Sequence, residues 1–349
     1  MLLVSLRDLE WRRRRFAIAV AATALVFALA LLLSGVSASF GNEVRRTVAL
    51  MHPDAWLVRT GTPGPFTSPN AFPAARAAAV AKRPGVTRAD PIAVARGVTH
   101  VHGVRDVNVI GVVPGGVGAP PDSVRGARLA RSGTAVVDDS LGVDVGDTLD
   151  LSGSRFRVVG LLHGITYFAA IPVAFVPLRD VQAMSFGGRP LATAILTRGV
   201  PEEVPPGLSV LSDREVEADL LRPIRQATQT IALIRGLLWA VAAGIIGAII
   251  YLSALERTRD FAVLKATGAS SRFLLGGLAL QAVMLSLLSA LVAMALEVAM
   301  APAAAMSVEV SPWSYVTLPA IAVAVGLLAS LAGLRRAVGV DPALAFVAA

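Results

Sequence analysis

The chain contains no cysteine. Disulfides, zinc–thiolate centres, iron–sulfur clusters and cysteine nucleophiles are therefore excluded. Charge is also scarce, at 16% of 349 residues, against about 25% in a soluble domain. Of 32 basic residues only Lys82 and Lys265 are lysine. Neither follows a glycine, so the phosphate-cradling loop G-x-x-x-x-G-K-[ST] is missing. Gly115-Gly116-Val117-Gly118 runs into Ala-Pro-Pro, which cannot open a helix in the dinucleotide-binding manner, and it reads as a loop. The hydrolase elbow G-x-S-x-G fails at Ser39 in the run Gly35–Ser39. The histidines are His52, His100, His102 and His163. His100 and His102 would share one strand face, but no carboxylate lies at a telling spacing, so ordinary histidines of a β domain are the simpler reading. Asp138, Asp139, Asp144, Asp147 and Asp150 lack the order of a calcium loop. These residues give no catalytic constellation, metal site or cofactor site.

Apolar length is what the chain has. Apolar residues make up 55% and the mean hydropathy is +0.67, which excludes a disordered chain and argues against a wholly soluble one. The net charge of +8 invites a nucleic-acid reading. However, the arginines cluster beside apolar runs, where membrane proteins place them. Four runs reach the ~20 residues that cross a bilayer: 16–36, 231–255, 273–296 and 313–334.

Flanking charge sets an orientation. Arg7 and Arg12–Arg15 precede the first run; Arg257, Arg259, Lys265 and Arg272 separate the second from the third; Arg335 and Arg336 follow the fourth. No Lys or Arg lies in 297–312. The N-terminus, the 256–272 loop and the 335–349 tail are thus expected to be cytoplasmic, with 37–230 and the 297–312 loop outside. Trp313 and Tyr315 then fall at the outer interface. The first run exceeds the 7–15 residues of a signal-peptide core and reads as a retained anchor. Leu2, Leu6, Leu9 and Trp11 give residues 1–15 the pattern of an interfacial helix.

Segment 37–230 has near-balanced charge, 20 Lys and Arg against 17 Asp and Glu, and is long enough for its own core. Strand-like runs occur at 107–113, 135–137, 148–151, 155–162, 173–176 and 192–196, with Gly153-Ser154 as a hairpin turn. Residues 71–81 and 213–229 look helical, and Ser212 or Asp213 would cap the latter. This second helix is expected to run almost unbroken into the second span as a stalk. The fold class is an α-helical membrane protein of four transmembrane helices, with a large α+β extracytoplasmic domain inserted between helices 1 and 2.

Three features inside the spans are candidates for function. Arg235 and Glu297 are charges near span ends: each can snorkel, they can pair, or they can contact substrate. Gln281 is expected to bond across helices. Ala240, Gly244 and Ala248 form a small-residue face that suits a packed bundle or a dimer.

Residues 255–272 read Leu-Glu-Arg-Thr-Arg-Asp-Phe-Ala-Val-Leu-Lys-Ala-Thr-Gly-Ala-Ser-Ser-Arg. This closely resembles the cytoplasmic loop of the FtsX-like, MacB-type ABC transporter permeases. Arg257, Ala262, Leu264, Lys265, Ala266, Gly268 and Ala269 match, and Asp260 stands where Glu is frequent. The basic start Arg12–Arg15, the order of one span, outer domain and three spans, the tail Asp341-Pro342-Ala343-Leu344-Ala345-Phe346, and the runs 146–149 and 156–160 are similar too. Residues 286–293 lack the glycines common in the family.

The resemblance implies a permease subunit with no ATPase of its own, in a bacterial cell membrane. Two permeases, identical or homologous, would assemble with two ATPase subunits that hold ATP and Mg. Loop 256–272 would dock on the ATPase, with Phe261 and Leu264 as apolar anchors, Arg257, Arg259 and Lys265 as a polar rim, and Gly268 ending the helix. The stalk would transmit motion to the outer domain, for export or extraction of a lipid, lipoprotein, peptide or hydrophobic compound. Two alternatives stay open: a complex that drives a cell-wall hydrolase or other extracytoplasmic protein partner without moving substrate, and an outer-face receptor. No nucleic-acid partner is expected.

Overall fold

The computed structural model describes residues 13–68, 70–101, 103–121, 125–256, 258–268, 270–300 and 312–338. The interfacial helix expected over 1–15 (except its last three residues), His102, Arg257, most of the 297–312 loop and the tail motif at 341–346 lie outside the described residues. The chain divides into two compact units, residues 1–39 with 227–349, and residues 40–226.

Five helices belong wholly or partly to the first unit: α1 (Arg13–Met51), α5 (Arg225–Glu256), α6 (Thr258–Ala266), α7 (Ser271–Met300) and α8 (Pro312–Val338). All but α6 are long and apolar enough to cross a membrane. Their alanine- and leucine-rich runs favour helix, and no proline interrupts α1, α5 or α7. Pro319 lies inside α8, which continues on both sides of it, as membrane helices permit. Residues at helical spacing meet in one core: Ala24, Phe27 and Leu31 of α1, Ala242, Ile246 and Ile250 of α5, Ala282 and Leu285 of α7, Ala322, Val325 and Ala329 of α8.

Helices α7 and α8 approach closely at Gly326, where an added Cβ would lie 2.5 Å from the Ser286 hydroxyl and 3.0 Å from the Ala282 carbonyl oxygen. Ser286 and Ser289 donate their hydroxyls to the carbonyls of Ala282 and Leu285, at 2.7 and 2.8 Å. Their polarity is satisfied within the helix, so serine packs here as a small residue. Gly326→Leu is expected to force the two helices apart at a cost of about 1–3 kcal/mol. A lowered melting temperature in detergent, with Gly277→Leu as control, would check this; no difference between the two would contradict it.

The second unit is built on strands β1 (Ala55–Arg59), β2 (Phe72–Pro73), β3 (Arg88–Thr99), β4 (Arg105–Val112), β5 (Arg125–Gly126), β6 (Thr134–Asp138), β7 (Thr148–Leu151), β8 (Ser154–Leu162), β9 (Thr166–Tyr167), β10 (Ile171–Pro177), β11 (Leu191–Ala192), β12 (Ala194–Arg198) and β13 (Leu208–Leu211). Its short helices are α2 (Arg76–Val80), α3 (Leu178–Phe186) and α4 (Asp213–Leu221). The main sheet has the order β13-β1-β12-β3-β4-β10-β6-β8-β5, with β7 on β8 and β9 on β10. Pairs β4–β10 and β6–β8 are parallel; the others are antiparallel. Strand β3 joins the halves, pairing β12 through residues 88–92 and β4 through 93–99.

Period-two alternation splits the strands between two cores. Ile92, Val94, Ile110, Val112 and Phe175 face one side, against Val216 and Leu220 of α4 and Val44, Val48 and Met51 of α1. Ala93, Val107, Val109, Ala174 and Val176 face the other, against Leu178 and Val181 of α3.

Several boundaries differ from the sequence expectation. Helix α1 does not stop near residue 36 but continues to Met51. The 213–229 stalk is two helices, with a turn at 222–224 between α4 and α5. Pro223 lacks an N–H, and its ring would clash with the Asp219 carbonyl in a continuous helix. The hairpin turn is Ser152-Gly153, one residue earlier than expected, with φ +52° and +84° as a type I′ turn requires. The 71–81 helix shortens to α2.

Three consecutive non-glycine residues, Phe168, Ala169 and Ala170, take φ of +57°, +64° and +66°. A left-handed run of this kind costs roughly 1–2 kcal/mol per residue. Asn108 holds it from one side, donating to the carbonyls of Tyr167 and Ile171. Glu43 accepts from the Ala170 N–H at 3.1 Å. Ala169→Gly is expected to raise stability by about 1 kcal/mol, read as a shift of the denaturant midpoint; an unchanged or lower midpoint would count against strain there.

Candidate functional site

The charged segment between α5 and α7 folds as the nine-residue helix α6. Asp260 lies in its first turn and Lys265 in its last, as the helix dipole favours. Thr258 donates its hydroxyl to the Leu255 carbonyl at 2.6 Å, and Thr267 donates to the Leu264 carbonyl at 3.0 Å. Gly268 takes φ +95° with its N–H on the Lys265 carbonyl, the left-handed ending that glycine permits. Ser270 then accepts from the Phe273 N–H and caps α7.

The helix has two faces. Phe261 and Ala262 are buried in the bundle core. Asp260, Val263, Leu264 and Thr267 are exposed, a face at i, i+3, i+4 and i+7. Phe261, expected as an apolar docking anchor, is packed into the bundle core with 6% exposure. Val263, which sequence reasoning passed over, stands beside Leu264 instead, at 49% and 40% exposure. Arg257 lies outside the described residues; Arg259 is in α6, its side chain undescribed.

The span charges do not pair with each other. Arg235, half-buried on α5, donates through Nη1 to the Ser34 hydroxyl at 3.2 Å. Glu297, buried on α7, accepts from the Tyr315 hydroxyl of α8 at 2.6 Å. Glu297 therefore ties α7 to α8, and Arg235 ties α5 to α1. Gln281, expected to bond across helices, is buried with its Nε2 unpaired. Ala240, Gly244 and Ala248 point outward, and no atom lies within 4 Å of a Cβ built on Gly244. The inward face of α5 is Ala242, Ile246, Gly247 and Ile250 instead.

In the second unit His163 Nδ1 lies 2.8 Å from the Asp139 carboxylate. That hydrogen bond, with the charge of Asp139, raises the His163 pKa above 6.5. The contact therefore favours folding below pH 6.5, and its contribution fades as pH rises through the folded-state value. An NMR titration should find His163 titrating higher than in Asp139→Asn; equal titrations would contradict the pairing. Among the described residues no group of three or more His, Asp and Glu could hold a metal ion.

A MacB-like periplasmic core domain is matched over residues 16–204, and an FtsX-like permease C-terminal domain over 232–342. An uncharacterized ABC transporter permease of Mycobacterium bovis is 41% identical over 347 residues, 99% of each chain. One from Mycobacterium tuberculosis is 39% identical over the same length and coverage. The chain belongs to the MacB/FtsX family of ABC transporter permeases. The periplasmic region of MacB from Actinobacillus actinomycetemcomitans, at 12% identity and TM-score 0.33, aligns with 47% of this chain and 91% of its own. The extracellular domain of the transporter YknZ from Gram-positive bacteria does so at 12% identity, TM-score 0.33, and 45% and 99% coverage. Family membership rests on the sequence matches alone.

In this permease the unit of residues 40–226 is the mixed α/β extracellular domain, placed between the first membrane helix and the other three. Membership implies an ATPase partner in a separate subunit. Helix α6 falls inside the FtsX-like match and Arg235 near its start.

Proposed function

We propose that this permease couples ATP hydrolysis in its partner to rearrangement of the extracellular domain, for export or extraction of a lipid, lipoprotein, peptide or hydrophobic compound. The observation that carries the proposal is the division of labour on α6. Phe261 and Ala262 lock the helix to the bundle, while Val263 and Leu264 offer exposed apolar anchors between Asp260 and Thr267. A helix so fixed moves as one body with α5 and α7 when it is pushed.

The positive-inside pattern puts α6, the N-terminus and the C-terminus in the cytoplasm, where the ATPase and its ATP and Mg reside. Two ATPases and two permeases, in a bacterial plasma membrane, make the working unit. The outward face of α5, with Ala240, Gly244 and Ala248, receives the second permease, because small residues allow close helix approach. Motion of α5 reaches the extracellular domain through the turn at 222–224 and α4. Substrate need not pass through a membrane pore in this scheme.

The test is purification of the tagged permease in mild detergent. Recovery of an ATPase subunit and ATP hydrolysis by the eluate are expected. Folded permease with no ATPase would contradict the proposal.

A further inference from the structure

A cavity of about 340 Å³ opens within the membrane unit, between α1, α5 and α8. Its lining mixes polar residues, Arg235, Ser34, Ser314 and Thr317, with apolar ones that include Leu31, Trp239 and Leu318. Trp239 is fixed by a ring contact with Phe27, with centroids 5.2 Å apart.

The charge of Arg235 has no carboxylate partner among the described residues. Its bond to Ser34 satisfies one N–H of five and leaves the charge unneutralised. Glu297 of α7 is engaged by Tyr315 instead. A guanidinium within a span is costly unless it meets water or an anion. The Ser34 oxygen takes the Arg235 hydrogen, which turns its own hydroxyl hydrogen toward another acceptor. Arg235 and Ser34 are therefore donors for one acidic group, and the apolar residues that line the same cavity suit an acyl chain. The volume is at the small end of ligand sites, about 300–1,000 Å³. It holds a headgroup and the first methylenes of a tail, not a whole lipid.

We infer that this cavity binds an amphiphile with an acidic headgroup, a phosphate or a carboxylate, through Arg235 and Ser34. The inference deepens the transport reading, and it rests on that reading for placing the cavity at the outer leaflet. The occupant has two sources with one chemistry, a resident phospholipid or a transported amphiphile.

The test uses the full-length permease, with any ATPase that co-purifies, in nanodiscs carrying brominated phosphatidylglycerol or brominated phosphatidylcholine. Bromine quenches a nearby indole, and a Trp239→Phe sample subtracts the other tryptophans. Wild type is expected to be quenched at roughly tenfold lower mole fraction of the anionic lipid, the effect of one charge-assisted contact. Arg235→Gln should abolish that preference, and Arg235→Lys should retain part of it, with the fold checked by thermal melting. The preference should be unchanged in Glu309→Gln, a variant of the 297–312 loop; a counterion removed from Arg235 would strengthen it instead.

Equal quenching of wild type by both lipids would overturn the inference, as would a preference that survives Arg235→Gln. Quenching that falls during ATP turnover identifies a transported amphiphile, and quenching that holds identifies a resident lipid; both support the site. Absence of ATPase with the preference intact would strike the transport reading and leave the site standing.

Discussion

Asp219→Ala is expected to destabilise the extracellular domain by about 3 kcal/mol or more, a large part of the 5–15 kcal/mol that holds a typical domain together. Asp219 is fully buried on α4. Its carboxylate accepts from the Phe66 and Thr67 N–H groups, both at 3.2 Å, and from the Thr67 hydroxyl. Gly64 makes room for it, since a Cβ there would come within 2.2 Å of the carboxylate. Alanine leaves the buried Phe66 N–H and the part-buried Thr67 N–H without an acceptor, at about 1–3 kcal/mol each. Asp219→Asn keeps one oxygen for the two N–H groups and can meet the Thr67 hydroxyl with its amide, so it should cost far less. Denaturant unfolding of both variants separates these cases. Equal stability of Asp219→Ala and wild type would mean that loop 64–67 is not held to α4 as described.

Leu264→Asp, alone or with Val263→Asp, is expected to weaken ATPase binding by roughly a hundredfold, the scale of losing a central apolar anchor. Both side chains are exposed in the permease, so its melting temperature should stay within a degree or two of wild type. Phe261→Asp should behave differently. It places a charge in the bundle core, so stability and ATPase binding should fall together. Binding measured against purified ATPase, beside thermal melts, distinguishes these outcomes. Full binding by Leu264→Asp would move the docking surface away from α6.

The membrane helices were legible because length and composition decide them, and because any backbone in hydrocarbon must bond within its own segment. The extracellular sheet was legible where alternating or wholly apolar runs are set off by turn residues, as in β8 and β10. Strand β3 was missed because Pro91 and Gly97 interrupt its twelve residues. Pro91 is tolerated because the strand changes partner just there, from β12 to β4. Strand β1 was missed because it is only five residues long and follows α1 almost directly. The stalk break was visible in Pro223, but apolar continuity on its far side outweighed it.

At the candidate site, Gly268 carried a local signal for the helix end, and Ser270 or Ser271 one for the cap of the next helix; the structure has Gly268 left-handed and Ser270 as the cap. The fate of Phe261 did not follow from sequence. A nine-residue helix with Phe261, Val263 and Leu264 on adjoining sides does not state which of them packs inward. That choice is made by the bundle. Arg235 and Glu297 were recognisable as costly charges, but their partners, Ser34 and Tyr315, come from distant segments and are set by tertiary packing.

Absence of cysteine makes the central claim directly measurable. Spin labels at Val200→Cys in the extracellular domain and Leu237→Cys on α5, both at exposed positions, report the distance between the two units by pulsed electron resonance. The complex with its ATPase is measured in nanodiscs, without nucleotide and with ATP trapped by a hydrolysis-deficient ATPase. A distance distribution that shifts on ATP trapping in wild type, and does not shift in Leu264→Asp, is the predicted result. Identical distributions in both states, from a wild-type complex that hydrolyses ATP normally, would contradict transmission of ATP-driven motion to the extracellular domain.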